Sequence, residues 1–398
     1  MTQAPSRDEL RESLNLLRKD FETRATKRLE LLSAKGRHRE LRPRSGLDFS
    51  SNDYLGLTDH PAIRERLIEA LGDGVPLGSG GSRLLRGNTE WHDRAEAELA
   101  AFKRTEAALI FNSGFEANVG VIATLCGAGD LIFADQLVHA SMIDGMRQSK
   151  ARRVSFRHND CDHLEQLLRE EGSTSGKRFI LIESLYSMDG DRAPLADLAW
   201  LAARYQAHLI VDEAHATGVF GATGAGLLEE AGLLDVPLIC VHTCGKAWGG
   251  FGAFVTCSRP IRDLLVNQCR NFIFTTALPP LIPIQLLAAL EVIAREPWRR
   301  QRVLAAAGRF REGLAGLADM GHSDSQIVPV VMGADRRAVA LADRLQAAGF
   351  DIRAIRPPTV PPGSARLRVA FNAGHDAVTI EKLVAILREI LADPDANL

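Results

Sequence analysis

The sequence predicts an α/β fold: a mostly parallel central sheet covered by helices on both faces, then a smaller C-terminal α+β module. Three observations predict it. Short apolar runs recur seven times between residues 107 and 257. Helix-length amphipathic segments, such as 160–171 and 195–206, lie between most of them, and strands alternating with helices pair in parallel. Beyond a proline-rich stretch the texture changes to a long helical segment followed by mixed strands and helices.

Taken in order, residues 7–33 are charged, with Leu10, Leu14, Leu17 and Phe21 at helical spacing, and "RHRELRPRSG" breaks the pattern. This predicts an N-terminal arm over 1–45. The large domain is expected over 46–283. Its strands are "AALIF" (107–111), "LIFA" (131–134), "RVSF" (153–156), "FILIES" (179–184), "HLIVD" (208–212), "LICVH" (238–242) and "GAFVTC" (252–257). The small domain, 284–398, reads as a helical segment 284–319, "QIVPVVM", a helix 335–348, "FDIRAI", "ARLRVAF" and a last helix 376–392.

Composition narrows the class. A chain of 398 residues, 46% hydrophobic, can bury one large core and a smaller second one. A formal charge of −2 gives no basic balance for a nucleic-acid partner. The six cysteines include no CxxC pair and no zinc spacing, so no metal site and reduced, cytoplasmic thiols are expected. "MTQAPSRDELRE" has no apolar signal region. The uncharged stretch 271–290 is as long as a membrane span. Pro279, Pro280 and Pro283 interrupt it, so it reads as a buried loop entering a buried helix.

Open α/β sheets bind ligands beyond the carboxyl ends of their strands. Those ends carry Asn112 before "SGFEAN", His139, Ser187 and Asp189, Asp212 and His215, and Thr243 and Lys246. Asp212-Glu213-Ala214-His215 spells a helicase box. An ATPase also needs a phosphate loop ending Gly-Lys-Ser/Thr. The only Gly-Lys pairs, Gly176-Lys177 and Gly245-Lys246, are followed by Arg178 and Ala247. The motor reading is therefore a distant alternative. Pyridoxal 5′-phosphate (PLP) makes four demands: a lysine for its aldehyde, a carboxylate for its pyridine nitrogen, amides at a helix start for its phosphate, and a flat partner with a donor for its ring. Lys246, Asp212, Ser113-Gly114-Phe115 with Thr243, and His139 with His215 supply them. A carboxylate about 4 Å from a pyridinium is worth about 4 kcal/mol at an effective dielectric near 20. That is roughly three pKa units.

The motifs "LDFSSNDYLGL", "GSGGSRLLRGN", "SGFEAN", "SMDGD", "VDEAHATGVFG", "TCGKAWGGFGAF" and "TTALPP" carry a resemblance. From about residue 45 to 390 the chain resembles the fold-type I PLP enzymes (the aspartate aminotransferase-like transferases), and among them the α-oxoamine synthases. Over 355–375 it looks most like the biotin-pathway branch, which condenses L-alanine with a pimeloyl thioester and releases CO2 and thiol. The carrier, coenzyme A or acyl carrier protein, stays open. So do a serine palmitoyltransferase-like or glycine C-acyltransferase reading and, more distantly, a plain aminotransferase.

The resemblance implies roles, each beside a plainer one. Lys246 holds the cofactor and takes the Cα proton, or is a lysine in a glycine turn. Asp212 pairs with the pyridinium, or caps a helix. His215 donates to the ring oxygen and His139 stacks on the ring, or both are packed turn residues. Ser187 and Thr243 reach cofactor oxygens, and Gly114 and Phe115 lend amides to the phosphate. Asn52 touches the substrate carboxylate, or makes an Asx turn. Arg368 clamps that carboxylate. Arg366 and Arg368 share a strand face, so one is also readable as a solvated charge. Arg356 and Thr359 line the mouth, and Arg39 meets substrate. Thr275 and Thr276 reach the phosphate of a neighbouring subunit, which implies a homodimer with shared sites. The remaining lysines and glutamates are expected on the solvated surface. Trp248 and Cys244 depart from the family pattern beside Lys246 and put acyl-chain fit in question.

Overall fold

The computed structural model describes residues 6–41, 43–171, 176–236 and 238–392. Residues 1–5 and 42 of the expected arm and 393–398 of the expected small domain lie outside the described residues. The strands are β1 (Leu47–Asp48), β2 (Ala107–Phe111), β3 (Leu131–Asp135), β4 (Arg152–Phe156), β5 (Arg178–Glu183), β6 (Ala207–Asp212), β7 (Ile239–Thr243), β8 (Ala253–Cys257), β9 (Ile327–Gly333), β10 (Phe350–Asp351), β11 (Ala354–Ile355) and β12 (Ala365–Ala370). The seven expected apolar runs are β2 to β8, with every boundary within one residue.

Strands β2 to β8 form one sheet in the order β2-β8-β7-β6-β5-β3-β4. The pairs β7–β6, β6–β5, β5–β3 and β3–β4 are parallel, while β8 runs antiparallel to both its neighbours. Every strand but β8 therefore ends at the same edge. Alternation along β6 shows how both faces are buried. Leu209 and Val211 join one apolar cluster and Ile210 the other. The second cluster lies under the helices Gly114–Leu125 and Ala140–Gln148.

The C-terminal part is a three-stranded antiparallel sheet, order β11-β12-β9, packed by the helices Asp335–Ala347 and Trp298–Leu314, with Ala377–Ala392 against the second of these. Its core residues Phe310, Leu345 and Phe371 belong to the same cluster as Val211 and Trp248. One continuous apolar interior therefore fixes β12 against the main sheet. The segment expected to be one helix over 284–319 is two, Leu281–Arg295 and Trp298–Leu314. Pro297 has no amide to continue the first ladder. The first of these helices begins before residue 284 and packs on Pro61–Gly72 and Glu90–Phe102 of the large unit.

The helix Arg7–Ala34 starts with a Ser6/Glu9 capping box and buries no residue of its own. Among the described residues no helix is long and apolar enough to cross a membrane.

The expectation that lysines and glutamates outside the site lie in solvent is corrected at four places. Glu96, Lys103, Glu183 and Glu213 are buried. Partners make this affordable for three of them: Arg83 lies 2.9 Å from Glu96, and Lys103 lies 2.7 Å from Glu213. For Glu183, burial and the neighbouring Asp212 push the carboxyl well above the usual carboxylate range, which favours its uncharged form.

Candidate active site

The edge where the parallel strands end gathers the chemistry. Asp212 closes β6 and Thr243 closes β7, and the turn after Thr243 presents Lys246. Gly249 makes that turn possible. It sits at φ +61, and a Cβ there would lie 2.5 Å from the carbonyl carbon of Leu57. The lysine turn is thereby held against the segment carrying Asn52 and Tyr54.

A chain of short contacts starts at Lys246. Its Nζ lies 2.7 Å from His215 Nε2, and His215 Nδ1 lies 2.6 Å from the Tyr54 hydroxyl. Tyr54 donates to Asn52 Oδ1 at 3.0 Å. Arg368 Nη2 donates to Asn52 Oδ1 at 3.0 Å and to the Tyr54 oxygen at 3.1 Å, and its Nε donates to the Ser187 carbonyl at 2.6 Å. One proton arrangement satisfies all of these. Lys246 donates to His215 Nε2, and the Nδ1–H donates to Tyr54, whose own proton goes to Asn52. It requires a neutral imidazole. Burial, reinforced by the charge of Lys246, holds the His215 pKa well below the usual value. Burial likewise pushes Lys246 down to about 8, against the pull of Asp212 and Glu183. An amine so lowered is a nucleophile near neutral pH.

Asp212 sits apart from this chain and is itself anchored. Its Oδ2 accepts from Asn118 Nδ2 at 2.6 Å and its Oδ1 from the Ala214 amide at 2.8 Å. Asn118 also reaches Ser141 Oγ at 3.0 Å, which lies 2.7 Å from His139 Nδ1. His139 caps the helix Ala140–Gln148, and Phe115 meets its ring edge-on at 6.5 Å. Both rings are exposed in the single chain.

The residues present fit PLP. Ser113 Oγ takes the Glu116 amide of the helix Gly114–Leu125. The first-turn amides of Gly114 and Phe115 have no intrahelical acceptor and are available to an anion. A Cβ at Gly114 would stand 2.3 Å from Thr243 Cγ2, so only glycine lets the helix start approach the β7 end this closely. Asn118 Oδ1 and Glu183 Oε1, on either side of Asp212, are buried without a partner. A lowered lysine, a braced carboxylate and a helix start meet at one sheet edge.

Some expected residues lie elsewhere in this single chain. Thr276 is exposed, and its carbonyl, with Thr275 Oγ1, is held by Asn112 Nδ2. Arg39 and Thr359 are exposed and bonded to each other at 3.1 Å. Arg356 donates to the Gly36 carbonyl. The solvated reading of Arg366 is corrected. Arg366 and Arg368 are both buried: Arg366 pairs with Asp189 at 2.6 Å, and Arg368 is held by Asn52, Tyr54 and the Ser187 carbonyl. Trp248 and Cys244 are both fully buried in the core, with Trp248 packed on Phe102 and Phe254. They offer no surface to an acyl chain. Sequence reasoning gave no role to Tyr54, Asn118 or Glu183. Tyr54 is legible only as an aromatic two positions after Asn52 in "SSNDYLG".

Residues 44–387 match the model of the aminotransferase class I and II family. The 8-amino-7-oxononanoate synthase of Gluconacetobacter diazotrophicus is 47% identical over 86% of this chain and 87% of its own length. A serine palmitoyltransferase from S. paucimobilis, solved with bound PLP, superposes with TM-score 0.85 and 28% identity, covering 94% of this chain and 98% of that one. The 8-amino-7-oxononanoate synthase of Francisella tularensis gives 0.76 and 30%, over 87% and 98%. The fold is common to both activities and does not choose between them. The chain belongs to the aminotransferase class I and II family, and within it to the α-oxoamine synthases.

Proposed function

We propose that this protein binds PLP on Lys246 and condenses L-alanine with a pimeloyl thioester to 8-amino-7-oxononanoate, CO2 and free thiol, in biotin biosynthesis. One observation carries the reading. Arg368, Asn52 and Tyr54 form a hydrogen-bonded cationic cluster joined through His215 to the amine of Lys246. This supports reading a carboxylate receptor beside a proton acceptor, as a reaction at the Cα of an amino acid needs. Sequence identity to the synthases favours alanine and a pimeloyl chain over serine and palmitoyl.

PLP, when bound, supplies a protonated ring that accepts the electron pair released at Cα. Asp212 keeps a proton on the ring nitrogen, and Asn118 and the Ala214 amide keep Asp212 in place. Gly114, Phe115 and Thr243 would hold the phosphate, Ser187 would reach a cofactor oxygen, and His139 would stack on the ring. Once Lys246 leaves Nε2, His215 in the tautomer with its proton there, and with Nδ1 accepting from Tyr54, would donate to the ring oxygen. Arg368 orients the carboxylate of alanine, and Lys246 Nζ removes the Cα proton. In the net reaction Cα bonds to the acyl carbonyl carbon as the C–S bond breaks, the thiolate takes a proton from solvent, and the bond from Cα to the alanine carboxylate breaks to release CO2. Lys246 returns a proton to Cα. Arg39, Arg356 and Thr359 line the approach of the acyl chain, whose carrier is coenzyme A or acyl carrier protein.

We infer a homodimer with shared sites. The exposure of Thr276, His139 and Phe115 supports it, as do the exposed Leu10, Leu14, Leu17 and Phe21 of the Arg7–Ala34 helix. Six free cysteines support a reducing, cytoplasmic setting. The test is a panel of alanine, glycine and serine against pimeloyl, acetyl, succinyl and palmitoyl thioesters, read as thiol release. Alanine with pimeloyl is expected to exceed every other pair by at least about tenfold, since one extra or missing group in a pocket is worth 10–200-fold. Preference for serine with palmitoyl overturns the substrate assignment and leaves the cofactor reading standing.

A further inference from the structure

Glu213, the second letter of the apparent helicase box, has no part in the chemistry above, yet it is fully buried. It follows Asp212 directly, so its side chain leaves the sheet on the opposite face. There it meets Lys103, the C-cap of the helix Glu90–Phe102, at 2.7 Å. Its other oxygen accepts the Leu228 amide at 3.0 Å. Gly226, at φ +105, leaves room for the carboxylate, since a Cβ there would lie 2.6 Å from either oxygen. The Lys103 ammonium also reaches Thr217 Oγ1 at 3.4 Å and the Ala225 carbonyl. Thr217 is in turn tied to the buried His242, 2.9 Å away.

Two features separate this pair from an ordinary buried ion pair. Its anchors flank the site residue: Glu213 lies two positions before His215 and Thr217 two positions after. The same turn is pinned through its backbone, with the Glu213 amide on Val241 O at 2.8 Å and the Ala216 and Thr217 amides on Glu213 O at 3.0 Å. One ammonium thus closes a loop around His215 from behind, while Asp212 is fixed at its start. A buried pair is dearer to form than an apolar one of the same volume. A charged clamp here is therefore understood by what it holds in place.

We propose that Lys103 and Glu213 are positioning residues. Their ion pair, on the far face of the sheet, sets where Asp212 and His215 meet the cofactor and Lys246. This rests on the PLP reading above. Without the clamp the 212–217 turn keeps its strand but loses the fixed pitch of His215. A displacement near 1 Å at a reacting group lowers rates on the order of 10²-fold.

The test compares wild type, Glu213→Gln, the paired apolar variant Lys103→Met/Glu213→Leu, and Glu213→Asp. Glu213→Gln strands a buried ammonium and is expected to melt early. The paired variant removes both charges and is expected to recover most of that stability. Melting, PLP affinity, the pH titration of the bound cofactor's absorbance, and kcat and KM are measured on each. The paired variant is expected to bind PLP about tenfold more weakly, to titrate at a shifted pH and to lose 10–100-fold in kcat, with KM for the thioester within about twofold of wild type. A paired variant that folds and matches wild type in affinity, titration and kcat overturns the proposal. If it does not fold, Glu213→Asp decides, since it keeps the charge but withdraws the carboxylate by one methylene. An unshifted titration there overturns the proposal too. Wild type that binds no PLP defeats the cofactor reading instead, and is recognised before any variant is compared.

Discussion

Replacing Lys246 with alanine abolishes turnover, a loss of at least about 10⁴-fold in kcat, while the fold and the affinity for PLP phosphate contacts survive. A positioned general base alone contributes 10²–10⁴-fold, and this lysine is also the anchor for the cofactor's aldehyde. Thiol release from alanine and pimeloyl thioester measures the loss. The wild-type lysine carries a pH signature. Burial lowers it from 10.5 to about 8. A lowered amine pKa raises the neutral fraction at any pH below it, so at pH 7 about one-tenth is neutral, against about three in ten thousand at 10.5. Capture of PLP by the apoenzyme is therefore expected to quicken about tenfold per pH unit below 7, and to level off above about 8. Stopped-flow absorbance at several pH values checks this. A rate still climbing at pH 10 contradicts the lowered amine.

Asp212→Asn is expected to be nearly as damaging, and for a different reason. The amide keeps the size of the side chain and can still accept the Ala214 amide. What disappears is the charge that holds a proton on the ring nitrogen. A loss of about 4 kcal/mol corresponds to roughly 10³-fold in kcat. The acid–base titration of the cofactor's absorbance is expected to move at the same time. A variant with kcat within tenfold of wild type would remove Asp212 from its assigned role.

How much of this was legible follows from the range of each interaction. The strands were readable because a buried run of Leu209, Ile210 and Val211 is local. Asp212, His215 and Lys246 were readable as candidates because each follows such a run, where the strands of an open sheet present ligands-binding groups. The break at Pro297 was readable in principle, since a proline lacks the amide a helix needs. The contact of Tyr54 with His215 joins positions 161 residues apart, and Lys103 with Glu213 joins positions 110 apart. Neither leaves a periodic trace in the chain. A buried charge pair in sequence looks the same as two solvated charges, and for that reason Lys103 and Glu213 were expected in water. Arg366 shows the same ambiguity. The spacing of Arg366 and Arg368 placed both on one strand face, but their partners Asp189 and Ser187, 177 and 181 positions away in the chain, are what let that face turn inward.

The central claim is that Lys246 is the residue that holds PLP. Borohydride reduction of the purified protein, followed by proteolysis and mass mapping, tests it most directly. The account predicts one pyridoxyl-phosphate adduct per chain, on the peptide containing Lys246, and none in Lys246→Ala. An adduct spread over surface lysines, or none at all in the wild-type protein, contradicts it.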